Sequence, residues 1–274
     1  MLDKLKLKFG SSSRQKALEI DLASTTLFVG PNNSGKSKAL VEIEQYCTHT
    51  GGQSKDLIID SITFSKLLKD EIEKELLLLK LDPKDHEIIQ ERELIIGKVG
   101  KGNARFHIRK DDIVSQAIND FSLGFDSSYS LFLRLFVIRL DGTNRLNLLA
   151  EQPAGDLQTN PTNYLANLFI DDTLRAEVRR IVYEAIGKYY VIDPTSIGKL
   201  RVRLSDIAPA NEREEKGWDN TSITFHKAAS EIIHASDGIK AFCGIITTLL
   251  AGDPKIILID EPEAFLHPAL SNLL

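Results

Sequence analysis

The octet Gly30-Pro31-Asn32-Asn33-Ser34-Gly35-Lys36-Ser37 constrains this chain more than any other stretch. It reads G-x-x-x-x-G-K-[ST], the glycine loop whose backbone N–H groups wrap phosphate. Residues 25–29 ahead of it, Thr-Thr-Leu-Phe-Val, are β-branched and apolar and predict a buried strand. Leu40, Val41 and Ile43 behind it begin a helical face. Strand, loop and helix together form the setting the motif requires. In that setting Gly30, Asn32, Asn33, Ser34 and Gly35 line an anion cradle at a helix N-terminus. Lys36 then reaches the terminal phosphates, and the Ser37 hydroxyl is placed for Mg²⁺.

The 274 residues suffice for one large α/β domain or two smaller ones, and a 42% hydrophobic content supplies a full core. A net charge of −5 argues against a generally basic coat for nucleic acid but leaves room for a local basic patch. Cys47 and Cys243 stand far apart without CxxC spacing and read as buried thiols in a reducing compartment. The histidines show no metal-ligand spacing. Leu5, Leu7 and Phe9 alternate with Lys4, Lys6 and Lys8, which is strand periodicity and not a signal sequence. No apolar run approaches membrane-spanning length, so a cytoplasmic protein with no membrane partner is expected.

Residues 5–9 and 17–22 read as antiparallel strands, and 57–64 as another strand. The stretch 66–81 is an amphipathic helix with Leu68, Ile72, Leu76 and Leu79 on one face, stopped near Pro83. A hairpin is expected from 93–99 and 104–109, and its Lys98, Lys101, Arg105, Arg109 and Lys110 form the most basic stretch. That stretch is either a solvated rim or a contact for nucleic acid. Residues 131–140 end as a strand, 141–160 read as a loop, and 163–170 and 173–188 read as helices. Strands at 189–192 and 200–204 and a hydrophilic linker at 211–220 follow, with no repeat or sustained heptad.

The apolar run Ile256-Ile257-Leu258-Ile259 leads into Asp260-Glu261, a strand ending in two carboxylates, which is the Walker B pattern. Adjacent residues at a strand end point in different directions, so the two acids serve different ends. Asp260 is the candidate for the Mg²⁺ shell beside Ser37, and Glu261 the candidate catalytic base for an attacking water. Upstream, Ser236-Asp237-Gly238 opens a helix whose Ile239, Phe242, Cys243, Ile246 and Leu250 share a face and which leads into the Walker B strand. A serine hydroxyl and free N–H groups at a helix start form either a second anion site or an ordinary N-cap.

With its order of glycine loop, Ser236-Asp237-Gly238, Walker B strand and Pro262-Glu263-Ala264-Phe265-Leu266-His267-Pro268, the chain resembles ABC-type ATPase heads. Within them it resembles the SMC/RecF-like and OLD-family (overcoming lysogenization defect) branch of bacterial DNA repair and anti-phage defence. The resemblance implies a P-loop NTPase of α/β class. Its head carries a doubly wound parallel sheet, N-terminal antiparallel strands and a helical insertion lobe. The nucleotide-binding core would be residues 1–60 and 236–274, the inserted lobe about 60–235.

It further implies ATP and Mg²⁺ as cofactors. Two heads would pair head-to-tail as a homodimer or higher oligomer, with Ser236 and Gly238 of one copy facing the nucleotide on the other. Leu266-His267 would hold the dimer-facing D-loop position. Gln152 is the candidate Q-loop glutamine at the metal, and Arg145 beside it either reaches a phosphate or lies on the surface. Asp237 stands where transporter ATPases carry glycine, which weighs against a transporter motor. The family's next strand and switch histidine are expected beyond Leu274, so a fragment or split head with weak turnover is anticipated. Nucleotide-driven dimerisation would gate a nuclease or other effector. The rivals are a repair clamp that binds DNA directly and an ATP-binding assembly scaffold.

Overall fold

A computed structural model describes residues 2–10, 14–49, 55–102, 104–118 and 127–262. In chain order its elements begin with β1 (Leu2–Leu7), β2 (Glu19–Asp21), α1 (Lys36–Thr48), β3 (Ile59–Phe64), α2 (Lys69–Leu79), β4 (Glu93–Ile96) and β5 (Phe106–Arg109). Next come α3 (Lys110–Ile118), α4 (Ser127–Arg134), β6 (Val137–Leu140), α5 (Asn144–Asn147), β7 (Gln152–Pro153), α6 (Tyr164–Ile170) and α7 (Asp172–Ile186). The rest are β8 (Tyr189–Ser196), β9 (Lys199–Ser205), α8 (Glu212–Lys216), α9 (Asn220–Ala228), β10 (Ser230–Glu231), α10 (Asp237–Gly252) and β11 (Ile256–Ile259). Two compact units result, one drawn from Met1–Gly97, Ala104–Leu140 and Pro254–Asp260, the other from Lys98–Asn103, Asp141–Asp253 and Glu261–Leu274.

In the first unit β1 lies between β2 and β3, antiparallel to both, with Leu5 opposite Ile20 and Ile62. The expected alternation therefore holds, since Leu5 is buried while Lys4 and Lys6 pair with Asp21 and Asp60 at the surface. β11 runs parallel to β6, Ile256 beside Val137 and Ile259 beside Leu140. Helix α1 packs on this pair, and Arg139 of β6 bonds Glu44 of α1 at 2.7 Å. Ile72, Leu76 and Leu79 of α2 enter the same core, whereas Leu68 precedes the helix and is exposed. The apolar stretch 131–140 divides into the end of α4 and β6, both buried.

The strand expected at residues 25–29 does not form. Among the described residues no strand pairs with this segment, and Leu27 and Val29 are 75% and 88% exposed. Phe28 alone packs on the core. A parallel strand reads as uniformly apolar because neighbours cover both its faces. Here the letters meet that description while the neighbours are lacking among the described residues.

The second unit is built on β8 and β9, paired antiparallel from Tyr189–Ser205 to Ser196–Lys199, with α6, α7 and α10 over them. Asp193, fully buried in β8, is held by Arg201 at 2.8 Å and Arg203 at 2.6 Å. The expected linker at 211–220 is structured: Asn211 caps α8 and Asp219 caps α9. No described helix is long and apolar enough to cross a membrane.

Candidate functional site

The glycine loop takes its shape from three backbone features. Ser34 N–H donates to the Pro31 carbonyl at 3.2 Å, Asn33 sits at φ 62°, and Gly35 sits at φ 92°. A side chain on Gly35 would be strained by that angle, and its Cβ would lie 2.6 Å from Ile58 Cδ1. Ile58 is itself fixed, because the buried Glu42 carboxylate accepts from the N–H groups of Leu57, Ile58 and Ile59 at 2.8, 2.9 and 2.9 Å. Burial pushes the Glu42 carboxyl up, but those three donors outweigh it and hold the group below the usual carboxylate range.

Helix α1 starts at Lys36 with no side-chain cap and no acid in its first turn. Lys36 and Lys38 there oppose the helix dipole, Lys38 being offset by its pair with Glu42 at 3.5 Å, and an uncapped start of this kind suits a bound anion. The Lys36 ammonium folds back onto the carbonyls of Gly30 at 2.7 Å and Pro31 at 3.0 Å.

Asp260 follows β11 and is placed by its own N–H, which donates to the Leu140 carbonyl at 2.9 Å. The Ser37 hydroxyl donates to Asp260 Oδ1 at 3.0 Å, joining residues 223 apart in sequence. Among the described residues no cluster of three His, Cys, Asp or Glu forms a protein-only metal cage. One hydroxyl beside one carboxylate suits Mg²⁺, which keeps waters and takes its other oxygens from phosphate. With the uncapped helix start and the left-handed backbone at Gly35, this donor set fits a Mg²⁺–nucleoside triphosphate.

The other candidates lie in the second unit. Glu261 is exposed and sits at φ 49°. Ser236 caps α10, its Oγ accepting from Ile239 N–H at 3.4 Å, while Asp237 pairs with Lys240 at 2.7 Å and Gly238 is half-buried in the first turn. Gln152 opens β7 and lines a cavity of about 500 Å³ together with Asp141, Asn144, Asn147 and Tyr164. Leu266 and His267 lie outside the described residues.

Arg145 is where the letters mislead most. Expected to reach a phosphate or the surface, it is fully buried and donates to the carbonyls of Asp141, Glu261 and Pro262. In the basic hairpin Arg105 bonds Glu87 at 2.7 Å, Lys110 pairs with Glu73 and Lys98 with Asp253, while Arg109 is exposed. Cys47 and Cys243 are buried, and burial pushes both thiols up to about 12.

Residues 120–274, more than half of the sequence, match the family model described as "AAA domain, putative AbiEii toxin, Type IV TA system". The chain belongs to this family. It is therefore a P-loop ATPase domain, with a mixed α/β fold that includes a parallel strand pair. The matched part holds β6, Arg145, Gln152, Ser236, Asp260 and Glu261; the glycine loop precedes it. Neither the curated proteins nor the solved structures yield a match to this sequence.

Proposed function

We infer that this chain binds Mg²⁺–ATP and hydrolyses it as an ABC-type head, and that its nucleotide-dependent dimerisation gates an effector. The single observation that carries the reading is the 3.0 Å bond from Ser37 to Asp260, which joins the glycine loop to the acid end of β11. The bound metal supplies positive charge against the phosphate oxygens. Ser37 and Asp260 hold it, Lys36 swings from the Gly30 and Pro31 carbonyls to the terminal phosphates, and Glu261 accepts the proton of the attacking water. Ser236 and Gly238 at the start of α10 serve the nucleotide of a second copy. The γ-phosphate then favours the paired state, because it makes contacts that exist only there.

The family description names a putative toxin of a toxin–antitoxin system; a gated effector, a nuclease among the candidates, and a role in anti-phage defence are what we propose beyond it. The salt-bridged basic hairpin favours that reading over a DNA clamp.

Calorimetry with Mg²⁺–ATP and a phosphate-release assay test the proposal. Glu261→Gln is expected to keep ATP affinity, lower turnover about 100-fold or more, and elute as a dimer with ATP. Parental turnover in that variant would refute the role of Glu261, and a monomer at saturating ATP would refute the switch.

A further inference from the structure

A glutamate at φ 49° is held in a backbone region that L-residues other than Asn and Asp seldom enter. Such a conformation persists only where the surroundings over-determine it. Here the surroundings are a buried guanidinium. Arg145 Nη2 donates to the Glu261 carbonyl at 2.9 Å, Nη1 reaches the Pro262 carbonyl at 3.4 Å, and Nε donates to the Asp141 carbonyl at 3.1 Å.

Three acceptors in different directions match the rigid fork of arginine and cannot all be met by a lysine ammonium. The seat of Arg145 is equally fixed. Asp141 Oδ1 accepts from Thr143 and Asn144 N–H at 3.0 and 2.9 Å, and Asn144 Oδ1 accepts from Asp141 N–H at 2.9 Å. Helix α5 comes close to α10 at Gly244, where a Cβ would lie 2.9 Å from Leu148 Cβ and 3.1 Å from the Arg145 carbonyl.

The geometry points to Arg145 as a positioning residue for Glu261: it holds the Walker B turn in its left-handed conformation and so sets the aim of the Glu261 carboxylate. It rests on the proposed role of Glu261 as the base. Arg145 itself touches no substrate. Its loss acts on the rate of hydrolysis and leaves nucleotide affinity, which belongs to the Lys36 loop, in place.

The test compares Arg145→Met, Arg145→Lys and Gly244→Ala by ATP titration and initial rates, in the parental chain and in Glu261→Gln. Arg145→Met is expected to lower kcat about 10- to 100-fold with Kd for ATP changed less than about 2-fold, and Arg145→Lys to recover part of the rate. Gly244→Ala, which displaces α5 while keeping the guanidinium, should lower kcat in the same direction; with Arg145→Lys it carries the test if Arg145→Met does not fold. In the Glu261→Gln background none of the three should lower the residual rate further. Unchanged kcat in folded Arg145→Met, or kcat and affinity falling together, overturns the proposal while the role of Glu261 stands. Parental turnover in Glu261→Gln alone overturns that role, and this proposal with it.

Discussion

Two turns, one in each unit, are fixed by opposite charges doing the same job. Beneath the glycine loop, the buried carboxylate of Glu42 gathers three backbone N–H groups and fixes Ile58 against Gly35. Behind the Walker B turn, the buried guanidinium of Arg145 gathers three backbone carbonyls. A loop that must present N–H groups to an anion can commit few of them internally, here Ser34 to the Pro31 carbonyl, so its floor is anchored one element away. A turn that presents a carboxylate can be gripped directly by its carbonyls. Both anchors satisfy backbone groups at part-buried positions, and Ile59 N–H, which is fully buried, depends most on its bond.

The comparison can be broken chemically, through nucleotide affinity, or mechanically, through stability. Lys36→Ala removes a charged donor to phosphate without touching either anchor. A loss of about 2–3 kcal/mol per charge-assisted contact weakens ATP binding about 30- to 150-fold, with the melting temperature unchanged in calorimetry.

Glu42→Ala strips the loop floor and leaves three N–H donors without acceptors, for a destabilisation of about 2–4 kcal/mol in urea titration. An effect below about 1 kcal/mol would mean that the floor is held by packing alone.

Gly35→Ala imposes a strained φ and the Ile58 clash, together costing about 1–3 kcal/mol. Adding Ile58→Val removes the clashing methyl and should return only the packing share. Full recovery would show that the left-handed angle costs little.

The smallest effect is at the Glu87–Arg105 pair, a control in which two half-buried side chains of opposite charge hold each other. The Arg105 guanidinium keeps the Glu87 carboxyl at about 2, against an ordinary 4.5. Because the folded value is the lower one, the stabilisation is complete above pH 4.5 and disappears as the pH falls toward 2. Melting curves across that window should lose less stability in Glu87→Gln than in the parent.

What could be read from the letters divides along the same line. The Ser37–Asp260 pairing follows from motifs whose chemistry is local to each, and the apolar run at 256–259 carries its own strand signal. The hairpin of β4 and β5 announced itself by glycines between two runs, and β8 and β9 were legible as separate strands, though not as a pair. The stretch 131–140 was legible at its end, which forms the expected strand β6, but not at its start in α4, since a buried run is equally apolar as helix or strand.

Residues 211–220 looked like a linker by composition, yet Asn211 followed three residues later by Glu214 is a helix-start signal that could have been used. Arg145 had no such signal. Its neighbours Thr143, Asn144 and Asn147 are polar, and its Glu261 and Pro262 partners stand 116 and 117 residues away. Burial that depends on distant chain leaves no mark on the local pattern, and the converse error at Leu27 and Val29 has the same origin.

The bare apolar pair ahead of the glycine loop also governs how the protein behaves in a tube. Two exposed branched side chains beside backbone that no described strand pairs with make an adhesive strip. Self-association is therefore expected to rise with protein concentration, which light scattering across a dilution series checks. Sulfate and phosphate salts, which strengthen apolar association, raise it further, so dilute, low-salt handling suits the first purification.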